Sequence, residues 1–397
     1  MRHVILNPRE NYKQILNSLN FTYHTKNISN EPFEYWLEGH AYEFKLREIE
    51  EIKKATIEVN EMFLYTADKM IKNGKYPKQY NFDDETIKKI EESYYSQRNK
   101  FSLMSRLDFC YNTENQLKLY EYDADSTSTF FESAIIQREW LNDIIINKQL
   151  SSYYSQENNI EENIINFFER IKEENIFLAF YPNISESNQY FESVHYLASC
   201  VAKANKKPIM LNISNISYNY DSQSYVFNGI NLFNNQKIED LKIEFLYKMY
   251  PIEFFNEESD EQHIGKLNIV EPIWKGLILG NKCTLIEVYN QFKNHPLLLK
   301  TEYMGNTDNM VKKPKLGREG SNIIVPEIGY KPLLDIQYIK EGGYIYQEYA
   351  KSSIDEYNYH HTISSWLINN KFSGVSVRID ENIVNGYKCH FLQHYIA

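Results

Sequence analysis

Apolar residues recur every three or four positions from about Ala41 to Ile71: Leu46, Ile49, Ile52, Thr56, Val59, Phe63, Ala67 and Met70. That spacing predicts one long helix with a single buried stripe, stopped by Asn73-Gly74 and Pro77. The stretch before it, residues 1 to 38, is mixed and ends in the aromatic patch Phe33, Tyr35 and Trp36. A second helix is expected from about Asp84 to Arg98.

From Arg106 to Thr129 the pattern changes. Two short apolar runs flank the polar loop Asn112 to Gln116, which reads as a β-hairpin. In its second strand Leu119, Glu121 and Asp123 alternate with Tyr120, Tyr122 and Ala124, so strict alternation puts the two acids on one face with Leu119. Thr129 followed by Glu132 is a capping-box pattern, and Phe131, Ile135, Leu141, Ile144 and Ile145 give the helix beyond it an apolar face.

After Ile160 the order helix (160–173), strand (Ile176 to Tyr181), helix (about 188–204), strand (Ile209 to Ile213) predicts a parallel βαβ unit. No GxGxxG follows its first strand, so a dinucleotide reading fails. A polar hairpin about Asp221 leads to an edge-like strand, Phe245 to Tyr250, closed by Pro251. In the last third, Asn281-Lys282 opens an apolar helix ending near Phe292. Met310 to Pro314 and the residues after Asn322 read as two strands joined by the glycine-punctuated turn Gly317 to Asn322. Tyr344 to Tyr349, His361 to Ile368 and Gly374 to Ile379 read as further strands. The fold class is therefore α/β, in mixed α+β form.

The hairpin carries the first candidate chemistry. Asp108 shares the face of Arg106 two residues away, so these two with Glu121 and Asp123 are expected to converge on one small volume, and like charges that close are costly unless a cation neutralises them. Three carboxylates offer the hard oxygen ligands that magnesium prefers, with room left for water and phosphate. A solvated acid-rich face is the plainer alternative. Ser126, Thr127 and Ser128 stand before a helix N-terminus, where free N–H groups favour an anion, unless the hydroxyls only cap the helix. A turn such as Gly317 to Asn322 can lie over phosphates with its N–H groups, with Lys313 on the strand before it. Glu186 and Glu192, at the mouth of the βαβ unit, could hold a cationic amine or be plain surface acids.

Composition narrows the class. The chain has 397 residues and 54 acids against 43 Lys and Arg, a net charge of -11. A dedicated nucleic-acid binder needs a basic surface, so that function is excluded. Cys110, Cys200, Cys283 and Cys389 are scattered with no CxxC or Cys/His spacing, against a zinc site or a disulfide framework. The N-terminus lacks an apolar signal core and no apolar run reaches membrane-span length, so no membrane partner and a cytoplasmic location are expected.

In this order the pieces resemble the glutathionylspermidine synthetase family, over nearly the whole chain. The residues that carry the resemblance are YEYDADS (120–126), EPIWK (271–275) with GNK (280–282), VKKPKLGREGSNI (311–323), YIYQEY (344–349) and GVSVRID (374–380). The resemblance implies one ATP-grasp domain over 1–397. Within it, about 100–150 is the metal and acid-substrate hairpin, about 155–265 a βαβ substrate lobe, and about 270–397 an ATP-binding lobe with an antiparallel lid. It implies ATP as co-substrate, Mg²⁺ (two ions), and an amide formed from an acid and an amine through an acyl phosphate.

By the same resemblance Asp108, Glu121 and Asp123 are metal ligands, and Arg106 and Arg378 act on the transferring phosphoryl group. Lys282 and Lys313 meet the ATP phosphates, Gly317, Glu319 and Gly320 belong to their cover, and Gln347, Glu348 and Tyr349 hold adenine. Ser126 receives the acid's carboxylate. Asp123 and Glu319 depart from the bifunctional members, which have asparagine and cysteine there and an amidase domain ahead of the synthetase. The nominal substrates are glutathione and spermidine, or a related peptide and amine. Dimers are common in such ligases, so a homodimer is carried as an expectation. The rival expectation is a catalytically silent nucleotide-binding regulator of the same fold.

Overall fold

The computed structural model describes residues 1–28, 30–97, 102–181, 187–258, 267–305, 310–330 and 343–397. Its largest sheet has seven strands in the order β1 (Arg2–Ile5), β4 (Trp36–Phe44), β19 (His390–Ile396), β18 (Lys371–Asp380), β17 (His360–Ile368), β5 (Met104–Tyr111), β6 (Leu117–Asp123). Neighbours are antiparallel except β4 and β19, which run parallel. This sheet takes strands from both ends of the chain and from the central hairpin, so the hairpin shares one framework with residues 360–396.

A four-stranded parallel sheet, β13 (Asn268–Val270), β12 (Phe245–Met249), β7 (Asn175–Phe180), β8 (Lys207–Asn212), stands beside it. The remaining strands are the hairpin β2 (Thr25–Ile28)–β3 (Glu31–Glu34), the meander β9 (Ile216–Asn219), β10 (Ser224–Asn231), β11 (Gln236–Lys242), and the small sheet β14 (Thr301–Glu302), β16 (Tyr344–Glu348), β15 (Met310–Pro314). The helices are α1 (Tyr12–Ser18), α2 (Leu46–Asn73), α3 (Asp84–Gln97), α4 (Gln137–Ile146), α5 (Ile160–Glu169), α6 (Ser187–Lys203), α7 (Ile252–Glu258) and α8 (Cys283–Gln291).

The long stripe forms α2, but the helix begins at Leu46 and not at Ala41. Ala41 and Tyr42 pair instead with His394 and its neighbour on one side and β1 on the other, and pairing on both edges overrides local periodicity. Glu48 accepts from the Lys45 N–H, and Gly74, at φ 57°, closes the far end in the left-handed conformation. Ile49, Ile52, Val59, Phe63, Ala67 and Met70 pack in one core with Leu107, Phe109, Ile363, Val375 and Val377, so α2 covers one face of the large sheet. Leu46 itself is exposed.

Three other expectations change. The Phe245 strand is not an edge: β12 is wholly buried between β7 and β13, which is why its apolar run is unbroken. Thr129 and Glu132 form no capping box: the Thr129 hydroxyl is buried without a partner, and Glu132 Oε1 accepts from Tyr35 and Gln189 instead. Beyond the Gly317 turn the second strand shrinks to isolated bridges, Lys312–Ile324 and Val325–Tyr330. Arg98, the expected end of the second helix, lies outside the described residues.

Candidate active site

Strand register places the charged groups. Arg106 lies opposite Asp123 and Trp366, Asp108 opposite Glu121 and Ser364, and Arg378 opposite Thr362. All stand on the face of the large sheet away from α2, because their odd or even partners (Leu107, Phe109, Ile363, Val377) fill the core. Strict alternation fails in β6. A bulge where Asp108 and Phe109 meet Glu121 and Leu119 leaves Tyr120 as the extra residue. It sends Leu119 into the core with Tyr122, while Glu121 and Asp123 stay on the polar face. A bulge re-aims side chains in this way.

Asp108 is the hub. Arg106 grips it from Nε to Oδ1 at 2.8 Å and from Nη2 to Oδ2 at 3.0 Å. Arg378 Nη2 reaches Oδ2 at 2.7 Å and the Ser364 hydroxyl donates to Oδ1 at 2.8 Å. Burial pushes the Asp108 carboxyl up, but the two guanidiniums outweigh it and hold the group well below the usual range. Arg106 also reaches Asp123 Oδ2 at 3.4 Å and the Ser128 carbonyl at 3.0 Å. For Asp123 burial prevails over Arg106, and its carboxyl is raised.

Glu121 pairs with Lys282 Nζ at 3.0 Å, and the same ammonium donates to the Gly317 carbonyl at 2.9 Å. Burial works against the Glu121 charge, yet Lys282 and Lys313 lower its pKa overall. Lys313, on β15, donates to Gln347 Oε1 at 2.6 Å and to the Tyr120 carbonyl at 3.1 Å. Burial brings its ammonium down to about 8. The glycine turn lies against residues 384–386: a Cβ at Gly320, where φ is +69°, would meet Val384 Cγ1 at 2.8 Å. Arg318 in that turn pairs with Glu253 of α7 at 3.0 Å.

One cavity gathers Arg106, Asp108, Glu121, Asp123, Ser126, Lys282, Lys313, Gly317, Glu319, Gly320, Gln347, Glu348, Tyr349 and Arg378. Glu192 is elsewhere. Its carboxylate accepts from the Thr22 N–H and hydroxyl and from the Tyr23 N–H at 3.3 Å, so it ties α6 to the N-terminal segment, away from the cavity lining. Glu186 lies outside the described residues.

Among the described residues no group of three or more His, Cys, Asp or Glu is gathered as a metal site. Each acid is instead neutralised by Arg106, Arg378 or Lys282. The donor chemistry still fits a hard cation: Asp108 and Glu121 are directly opposed carboxylates beside the cavity, and incoming phosphate oxygens would complete the shell.

Three residues of the motifs that carry the resemblance, Glu271 and Lys275 of EPIWK and Asp125 of YEYDADS, were given no role from sequence. Glu271 accepts from the N–H groups of Leu103 and Met104, and Lys275 pairs with Glu271 and donates to the Met104 carbonyl at 2.7 Å. The EPIWK stretch is thus a clamp on the start of β5, two residues before Arg106. Asp125 and Lys248 form a second buried pair at 2.6 Å, joining the residue before Ser126 to β12. The EPIWK motif marked the first pair in sequence, without its role. The second brings together residues too distant in sequence to suggest each other.

The profile of the glutathionylspermidine synthase preATP-grasp family matches residues 3–397. A Haemophilus influenzae protein provisionally named an acid–amine ligase is 30% identical over 401 residues, covering 97% of this chain and 96% of that one. The bifunctional glutathionylspermidine synthetase/amidase of Escherichia coli is 23% identical over 388 residues, covering 90% of this chain and 58% of its own length. Trypanothione synthetase of Crithidia fasciculata is 22% identical over 370 residues, 84% of this chain and 53% of that protein. The chain thus spans little more than half the length of the latter two. A glutathione synthetase-like effector from Globodera pallida shares the fold with TM-score 0.55 at 11% identity, over 98% of both chains.

Proposed function

The chain belongs to the glutathionylspermidine synthase family, and on that premise we propose that it is an ATP- and Mg²⁺-dependent carboxylate–amine ligase. The observation that carries the reading is the convergence of Arg106, Arg378, Lys282 and Lys313 with Asp108, Glu121 and Asp123 on one cavity. Phosphoryl transfer relies on cations positioned around the phosphates, and these residues supply them. No residue of this set is lost, which weighs against a silent regulator.

The acid's carboxylate oxygen attacks the γ-phosphorus of ATP and ADP leaves. The amine nitrogen then attacks the acyl phosphate, phosphate leaves, and the amide forms. Lys282 and Lys313 hold the phosphates under the Gly317–Asn322 turn, and Gln347, Glu348 and Tyr349 flank the base. Arg106 and Arg378 stabilise charge that builds on the transferring group. Ser126, at φ 55° beside the cavity, meets the acid's carboxylate. Asp108, Glu121 and Asp123 would hold Mg²⁺, whose charge offsets the phosphate oxygens and so favours attack.

The relatives' names make glutathione and spermidine, or a related peptide and amine, the pair to test. Small-molecule partners and a cytoplasmic location belong to the same reading. Among the described residues no helix is long and apolar enough to cross a membrane. Phosphate release from ATP and Mg²⁺ should require both an acid and an amine from a panel of peptides and polyamines. Release that ignores either substrate, or no release with any pair, would overturn the ligase.

A further inference from the structure

Lys26, on β2, is a buried ammonium that the ligase chemistry above leaves unused. It is 6% exposed and lines the same cavity. Its Nζ lies 4.9, 4.4 and 4.7 Å from the ring centres of Tyr23, Tyr35 and Tyr387, and it donates one hydrogen bond, to the Tyr387 carbonyl at 3.1 Å. An ammonium has three N–H donors. Ring faces attract a cation without neutralising it, and a buried charge without a partner is costly.

Among the described residues no carboxylate forms an ion pair with Lys26. Glu132 receives the Tyr35 hydroxyl at 2.8 Å; Lys26 draws its carboxyl down, but burial is the larger effect and pushes it up, which weakens it as a counter-charge. The neighbouring cavity wall offers neutral donors: Thr129, whose buried hydroxyl has no partner, and the second N–H of Gln189, whose Nε2 also donates to Glu132. A cation, a hydroxyl and an amide facing one space suit an anion. They repel the amine, because the tyrosine cage that would attract an ammonium already contains one.

We propose that Lys26 recognises a second carboxylate on the acid substrate, distinct from the one converted to the amide. The inference rests on the ligase reading and narrows its acid to one with two anionic groups. The ammonium enters the cavity beside the segment after Ser126, yet its one hydrogen bond, to Tyr387, also brings it next to residues 384–386, against which the glycine turn lies, so ATP affinity is the control. Lys26 is linked through Tyr35 and Glu132 to the segment that follows Ser126, whereas Lys313 and Gln347 stand on β15 and β16.

The test is equilibrium binding of glutathione and its two monoamides, each capped at one carboxylate, to the wild-type protein, Lys26→Met and Lys26→Arg. ATP binding is measured alongside, with melting temperature as the check on folding. Met keeps the stem against the tyrosines. The wild type should bind glutathione about 10- to 100-fold tighter than the monoamide capped at the non-reacting end. Lys26→Met should bring that ratio near one with ATP affinity unchanged, and Lys26→Arg should restore part of it. No preference in the wild type, no binding of any of the three, or a preference that survives in a folded Lys26→Met overturns the proposal. So does a loss that falls on ATP. Binding needs no turnover, so failure of ATP-dependent amide formation would sink the ligase without being confused with failure of Lys26.

Discussion

Arg378 Nη2 donates to Asp108 Oδ2 at 2.7 Å, so the carboxylate that Arg106 already holds by two bonds is shared between guanidiniums from two different strands. Asp108→Asn would leave Arg378 without its carboxylate and Arg106 with Asp123 alone, at 3.4 Å. Breaking a buried pair in this way costs about 3–5 kcal/mol. Denaturant unfolding should show a loss of this size, together with loss of turnover. The sign with pH follows. The folded pKa lies below the ordinary 3.8, so this stability is fully present above the unfolded value and is lost as pH falls below it. The acid limb of the stability curve should flatten in the variant.

Glu121 behaves differently, although it faces Asp108 across the hairpin. Its side chain is 29% exposed and its ion-pair partner is Lys282. Lys282 is buried but keeps the Gly317 carbonyl, so Glu121→Gln should lower the melting temperature less than Asp108→Asn. Turnover should fall about 100-fold or more, the size of effect expected when several kcal/mol of metal-assisted charge stabilisation is lost. Normal phosphate release with both substrates would remove Glu121 from the metal set.

Lys313 sets a pH signature. Its ammonium, brought down to about 8 by burial, must be charged to attract phosphate. ATP affinity should bend downward as pH rises through about 8, and the bend should be absent in Lys313→Met, which binds ATP more weakly at pH 7. In stability the same group runs the other way. Between about 8 and its ordinary 10.5 the unfolded chain binds more protons, so its contribution to stability rises with pH.

Glu271→Ala removes the acceptor of two backbone N–H groups and strands the Lys275 charge. A loss of roughly 3–5 kcal/mol in unfolding free energy is expected. Because the clamp orders the start of β5 without lining the cavity, the nucleotide affinity of protein that remains folded should change little.

Glu192→Gln separates anchoring from amine binding. Burial raises the wild-type carboxyl to about 7, so its charge costs stability increasingly as pH rises from the ordinary 4.5 through that value. The variant, which keeps an acceptor for the Thr22 and Tyr23 N–H groups, should gain on the wild type at pH 8 relative to pH 5. The KM for the amine should not move; a rise would return Glu192 to the substrate pocket.

Periodicity was enough to identify α2, the β5–β6 hairpin and the parallel β7–α6–β8 unit, because in each the apolar pattern faces one nearby core. It also placed both acids of β6 on a polar face, although for an incomplete reason: the bulge at Tyr120 sends Leu119 to the other side. Local signals failed where distant partners decided. Ala41 and Tyr42 became strand through pairing with β1 and β19, β12 moved from edge to centre, and Glu132 turned from Thr129 to Tyr35. The motif residues themselves were legible, since Arg106, Lys282, Lys313 and Arg378 each sit in a recognisable stretch. That they meet at one cavity is a property of the assembled fold: β17 and β18 add beside β5 and bring residues some 270 positions apart into hydrogen-bond contact, while Lys282 before α8 and Lys313 on β15 reach the same cavity from outside the large sheet. The Glu271 clamp and the unpaired charge of Lys26 exist only in that assembled state, because burial, which sequence does not state, is what makes a lysine without a counter-charge significant.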